Sequence, residues 1–135
     1  MKKKINLNLI VTAIFTAIIT MICMNVINFY LFDKQVKNDL RNTAQTLQDT
    51  GVFNKSAKIP DISVENMRIT WIDTDGTVLY DNENDETILE NHLNRPEVKE
   101  AISNGEGDSD RQSATMDTKT YYHAILLDDG TILRV

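Results

Sequence analysis

Three hydropathy patterns follow one another along the chain. Between Lys4 and Asp33 there is no charged side chain, and Leu9 to Phe32 is dominated by Ile, Leu, Val, Phe, Met and Ala. As a helix that run spans about 36 Å at ~1.5 Å per residue, enough for a hydrocarbon core of about 30 Å. The rival reading, a cleaved signal peptide, needs an apolar stretch of only ~7–15 residues ending in small side chains. Met21 to Leu31 offers bulky residues and asparagines instead. The pattern therefore predicts a retained transmembrane helix over 9–32. After it the apolar positions thin to Phe32, Val36, Leu40, Thr43 and Leu47, the three-to-four spacing of one helical stripe. This predicts a stalk helix over 33–50 that pairs with a sister chain or with a later segment of its own chain. Gly51 stands at its end, and 51–66, with Pro60, reads as a connector.

From Met67 the period becomes two. Met67, Ile69 and Trp71 alternate with Arg68 and Thr70, as a half-buried strand requires. Thr74-Asp75-Gly76 is a turn signal and Thr77 to Tyr80 the returning strand of a hairpin. Asp81 to Glu86 reads as a solvated acidic loop, and Ile88 to Leu93 as a short helix. A second helix opens at Asn94-Arg95-Pro96-Glu97 and closes at Gly105. Pro96 costs it no interior hydrogen bond, Glu97 and Glu100 suit its N-terminal dipole, and Val98, Ala101 and Ile102 supply its apolar face. Strands are expected over Asp110 to Met116, Thr120 to Leu127 and Thr131 to Val135, the last two joined by Asp128-Asp129-Gly130. Trp71 reads as core. Strands, helices and strands again predict an α+β fold: an N-terminal transmembrane helix and helical stalk, then an antiparallel sheet with helices on one face over 67–135. Val135 falls inside a strand with no turn after it, so a continuation is expected.

Charge sharpens the picture. Of 14 basic residues three, Lys2 to Lys4, precede the span, so the remainder sets eleven basic against twenty acidic residues, a balance of −9. Nucleic acid and anionic lipid head groups are poor partners for such a surface, and phosphate is a poor candidate for direct binding. The amino terminus with Lys2 to Lys4 slightly outweighs Lys34, Lys37 and Arg41 across the span, which places 1–8 in the cytoplasm and the rest outside it. Asn25 and Asn28, with Thr16 and Thr20 behind them, have the spacing to bond a partner helix in lipid. Cys23 is the only cysteine and lies in the span, which excludes an intrachain disulfide and a cysteine-based metal cluster.

Candidate chemistry is sparse. His92 and His123 lack a third ligand at metal-like spacing, and the run Asp81, Glu83, Asp85, Glu86 fails the EF-hand pattern, which needs Gly where Glu86 stands and Glu where His92 stands. Ser113 and His123 come without a nucleophile elbow or oxyanion-hole motif. Asn54-Lys55-Ser56 matches a glycosylation sequon that nothing else supports. No cofactor or metal is expected. The candidates for ligand contact are Arg95 and Arg111, for an anionic group, Tyr122 as a pocket wall, and His123 as a group that titrates near neutrality.

Several short patterns occur together: Asp73-x-Asp75-Gly76-x-Val78-Leu79-Tyr80-Asp81, Glu90-Asn91-His92-x-x-Arg95-Pro96-Glu97-Val98, Gly105-x-Gly107, Arg111-x-Ser113-x-Thr115 and Asp129-Gly130-x-Ile132-Leu133-Arg134-Val135. Arg68 to Val135 thereby resembles the extracytoplasmic PAS-like sensor domain of bacterial membrane-bound sensor histidine kinases, in particular the phosphate-regulon-type group. The resemblance implies a homodimer joined through stalk and transmembrane helices, set in membrane lipid, with a small ligand or a protein as its signal. It implies a second span and a kinase core after Val135, with a response regulator as partner of that parent protein only. The chain itself is expected to be catalytically inert. A membrane-tethered interaction domain and the sensor of a chemoreceptor are the rival readings.

Overall fold

The computed structural model describes residues 2–55, 59–112 and 119–135, with residues 2–5 described as backbone only. It divides into two compact units, Met1–Val36 and Lys37–Val135. The first is formed by helix α1, Lys2–Thr50, up to Val36. Its large apolar side chains, among them Leu9, Ile14, Phe15 and Phe29, stand exposed. Among the described residues this is one helix long and apolar enough to cross a membrane. Four of its polar side chains bond within the helix. The hydroxyls of Thr12, Thr16 and Thr20 donate to carbonyls three and four residues back, and the Asn25 amide donates to the Met21 carbonyl at 2.8 Å. Such internal pairing is what a hydrocarbon surrounding demands.

The second unit is built on five antiparallel strands: β1 (Thr70–Ile72), β2 (Val78–Asp81), β3 (Glu106–Gln112), β4 (Lys119–Leu126) and β5 (Ile132–Arg134). Their order is β2-β1-β5-β4-β3, so the first hairpin lies beside the last strand. Helix α2, Pro96–Asn104, packs on one face, where Ile72, Val98, Ala101, Ala124 and Ile132 form the apolar centre. This is the expected α+β, PAS-like architecture. The later part of α1 adds cover on the opposite face: Leu40 and Ala44 are buried, the Thr43 hydroxyl meets the Met67 sulfur at 3.5 Å, and Arg41 reaches Glu106 and Asp108 of β3. From Leu40 on, the stalk stripe thus packs against a later segment of its own chain.

Several local expectations change. β1 is buried on both faces: the Phe53 ring of the connector lies 5.8 Å from Trp71 on one side and the Thr70 hydroxyl donates to Asp81 on the other, so Thr70 is as inaccessible as Trp71. Asp81 belongs to β2, not to a solvated loop, and is buried by its bonds to Arg68 and Thr70. No helix forms over Ile88 to Leu93. A 3-10 turn at Glu86–Ile88 is capped by Asp85, and the following backbone bonds elsewhere: the His92 amide donates to the Gly76 carbonyl and the Asn91 side chain to the Asp75 carbonyl, both at 2.8 Å. In α2, Ile102 is 43% exposed, while Glu97, expected at the helix dipole, is fully buried. β3 starts at Glu106, four residues before the expected Asp110. Gly105 caps α2 in the left-handed conformation, φ +91°, and turns the chain straight into the strand. Ser113, Thr115 and Met116, and Ser56 of the sequon, lie outside the described residues.

Gly107 explains how α2 approaches β3 so closely. A Cβ there would collide with the Glu97 carbonyl and come within 2.8 Å of the Ala101 nitrogen.

Candidate functional site

Strand parity decides which side chains meet. The pairings Thr70↔Arg134, Ala124↔Arg134 and Ser109↔Tyr122 place Arg68, Thr70, Ser109, Arg111, Tyr122, Ala124 and Arg134 on the α2 face. At the N-terminal end of α2 this face stops being apolar and becomes a cluster of charge. Glu97 is its centre. Its carboxylate has no solvent exposure and accepts from the Ser109 hydroxyl at 2.6 Å, from Arg111 Nη2 at 2.8 and 2.9 Å, and lies 3.3 Å from Arg134 Nε. Burial pushes its pKa up, but Ser109, its own amide, Arg134 and Arg111 outweigh burial and hold it below the ordinary 4.5.

The two guanidiniums also share a ring: Arg111 and Arg134 each lie 4.5 Å from the centre of Tyr122. A few residues away Arg68 donates to both oxygens of Asp81, at 2.8 and 3.1 Å. Burial would raise the Asp81 carboxyl, but the Thr70 hydroxyl, Arg68 and the Glu83 amide pull it below its usual value.

These residues wall a cavity of about 280 Å³, lined by Arg68, Arg95, Arg111, Arg134, His92 and Tyr122, with Ile88, Leu89 and Glu90 completing it. His92 is buried, its Nδ1–H directed at the Glu90 carbonyl 2.6 Å away. Burial depresses its pKa, and Arg134, Arg95 and Arg68 add to the effect beyond what the Glu90 bond restores. It is therefore neutral at pH 7. Arg134 is 4% exposed, burial lowers its pKa, and its Nη1 is enclosed without a hydrogen-bond partner among the described residues.

Of the side chains singled out in the sequence, Arg95, Arg111 and Tyr122 come together at this cavity. His123 does not. It points to the opposite face, fully buried, with Nδ1 2.8 Å from Asp108, which in turn meets Arg41. Arg68, Arg134 and His92 are the cavity residues that sequence reasoning missed. Arg134 carried a usable signal, since it shares a strand face with Ile132; Arg68 carried none, because Thr70, its neighbour on the same face, reads as a polar position. Among the described residues no group of His, Cys, Asp and Glu is arranged to hold a metal ion.

Comparison with known proteins gives a match to the Single Cache-like family over residues 33–132, which takes in the stalk and connector as well as the sheet. Neither the curated proteins nor the solved structures compared gave a match. The matched stretch is well over half of the 135 residues, and it agrees with the five-stranded sheet, its helix and the helical lead-in. The chain belongs to the Single Cache-like family, whose domain is an extracellular sensor module of signalling proteins.

Proposed function

We propose that the chain is the input module of a two-component sensor histidine kinase of the phosphate-regulon type. Its N-terminus lies in the cytoplasm, α1 crosses the membrane, and the sensor domain stands outside, paired with a second copy through the stalk. The chain performs no catalysis; phosphotransfer belongs to a kinase core in the parent protein.

Strand β3 is the observation that carries this reading. Ser109 and Arg111 reach Glu97 beside the cavity, while Glu106 and Asp108, pointing the other way, meet Arg41 of α1. A ligand that binds one arrangement of the cavity better than another therefore biases the strand that the stalk residue grips, and differential affinity of that kind drives a two-state relay.

The coding sequence past Val135 tests the assignment. A second span followed by a histidine phosphotransfer segment is the expected continuation. A chemoreceptor's signalling coiled coil, or a stop codon directly after Val135, overturns it.

A further inference from the structure

Resting on the sensory reading above, we propose that the cavity lined by Arg68, Arg95, Arg111 and Arg134 binds a small solute through an oxyanion, a carboxylate or a phosphate. Four of the eleven basic residues that follow the membrane segment converge there. The carboxylates that neutralise them are fewer: Asp81 on Arg68, Glu97 shared by Arg111 and Arg134, and Glu90 at the lining. Four positive groups meet these three carboxylates, with Glu83 beside Arg68 and Arg134 in the adjoining hollow, so the site is close to neutral in a region whose balance is −9. The acidic total counts against an anion only if charge is spread evenly, and here it is not. Beyond about 8 Å at physiological salt the surrounding acids are largely screened.

The second observation is Arg134 itself. A buried guanidinium nitrogen without an acceptor is costly to keep, and its nearest anion contact, Nε to Glu97, is long at 3.3 Å. Because that nitrogen is enclosed, a solute oxygen meets it only once the guanidinium turns toward the cavity that Arg134 lines; guanidinium geometry suits the paired oxygens of carboxylate and phosphate equally. The cavity, about 280 Å³ and open to solvent, holds a group of metabolite size. Ile88 and Leu89 offer an apolar edge to a short carbon skeleton.

The test uses the full chain in lipid nanodiscs and follows thermal unfolding by the fluorescence of Trp71, the only tryptophan, which is buried in the sensor unit. Succinate, glycerol 3-phosphate and inorganic phosphate are titrated separately, with ionic strength held constant by sodium chloride. At least one probe should raise Tm saturably, and the pattern distinguishes a carboxylate from a phosphate ligand. Arg134 is too buried to replace safely, so the variant is Arg95→Gln at a half-buried position; it should unfold at the wild-type Tm without probe and bind at least tenfold more weakly. Lys99→Gln, on the exposed side of α2, should respond as the wild type does. If no probe shifts Tm beyond the chloride control, or if Arg95→Gln responds unchanged, the oxyanion site is overturned. That failure leaves the kinase reading standing, because the latter is decided by the sequence past Val135.

Discussion

On the face of the sheet covered by α2, a carboxylate with no solvent exposure, Glu97, holds two guanidiniums; on the face covered by the later part of α1, Arg41 meets Glu106 and Asp108 with about half of each side chain in water. The chemistry is the same and the energetics are opposite. Buried ions have lost their hydration, so each depends on its partner, and removing one strands the other. Exposed ions exchange partner for solvent at little cost. The α2 face is thereby fixed in one arrangement unless a competing charge enters, whereas the α1 face can shift its contacts for a fraction of that energy. A sensor needs both: a side where binding is consequential and a side where movement is cheap.

The largest expected effect tests the first half of this contrast. Glu97→Ala should destabilise the sensor unit by about 3–5 kcal/mol, the cost of breaking a buried pair, measured by urea unfolding followed at Trp71. A loss below about 1 kcal/mol would show that Arg111 and Arg134 find water or other partners, and the contrast between the faces would vanish. Gly107→Ala comes next. The added methyl has no room between β3 and α2, and overpacking of this kind costs about 1–3 kcal/mol. Unchanged stability would mean that helix and strand separate easily.

Proton linkage gives a third, smaller handle. The folded pKa of His92 lies below its ordinary 6.5, so the unfolded chain binds the extra proton first. Stability is then full above pH 6.5 and declines as pH falls below it, with a slope of at most about 1.4 kcal/mol per pH unit for one proton. His92→Asn should flatten that slope. Asp81 and Glu97, whose pKa values are depressed below 3.8 and 4.5, contribute stability that is present above those values and is lost in more acidic solution; this second decline should persist in the variant. Smallest of all, Arg41→Gln should cost about 0.2–1 kcal/mol, as exposed pairs do. Its importance lies in signalling: under the proposed kinase assignment it should change autophosphorylation of the parent protein far more than it changes Tm. A loss comparable with that of Glu97→Ala would place the rigid charge on the wrong face.

The sequence made the element types legible because each covers one apolar surface, and the period of that surface is local information. Where cover comes from both sides the period misleads. Thr70 sits at a polar position of β1 and is nonetheless buried, since its hydroxyl donates to the buried Asp81 of the neighbouring strand. Glu97 at the start of a helix reads as a dipole partner; that it lies under Arg111 and Arg134 depends on strand pairings far along the chain. The same holds for the order β2-β1-β5-β4-β3, which no local pattern encodes. Arg95, Arg111 and Tyr122 could be named as candidates by residue type alone; His123, named with them, faces the other side of the sheet, because one step of strand parity separates it from Tyr122.

That single step bears on how the length of β3 can change. Its even-numbered residues Glu106 and Asp108 serve the stalk, and its odd-numbered residues Ser109 and Arg111 serve the cavity. Deleting or inserting one residue within the strand would exchange the two sets, turning acids toward Glu97 and Arg111 toward Arg41. Relatives that keep both contacts should therefore vary β3 by two residues or by none, and shift any odd change to the segment between Gln112 and Lys119.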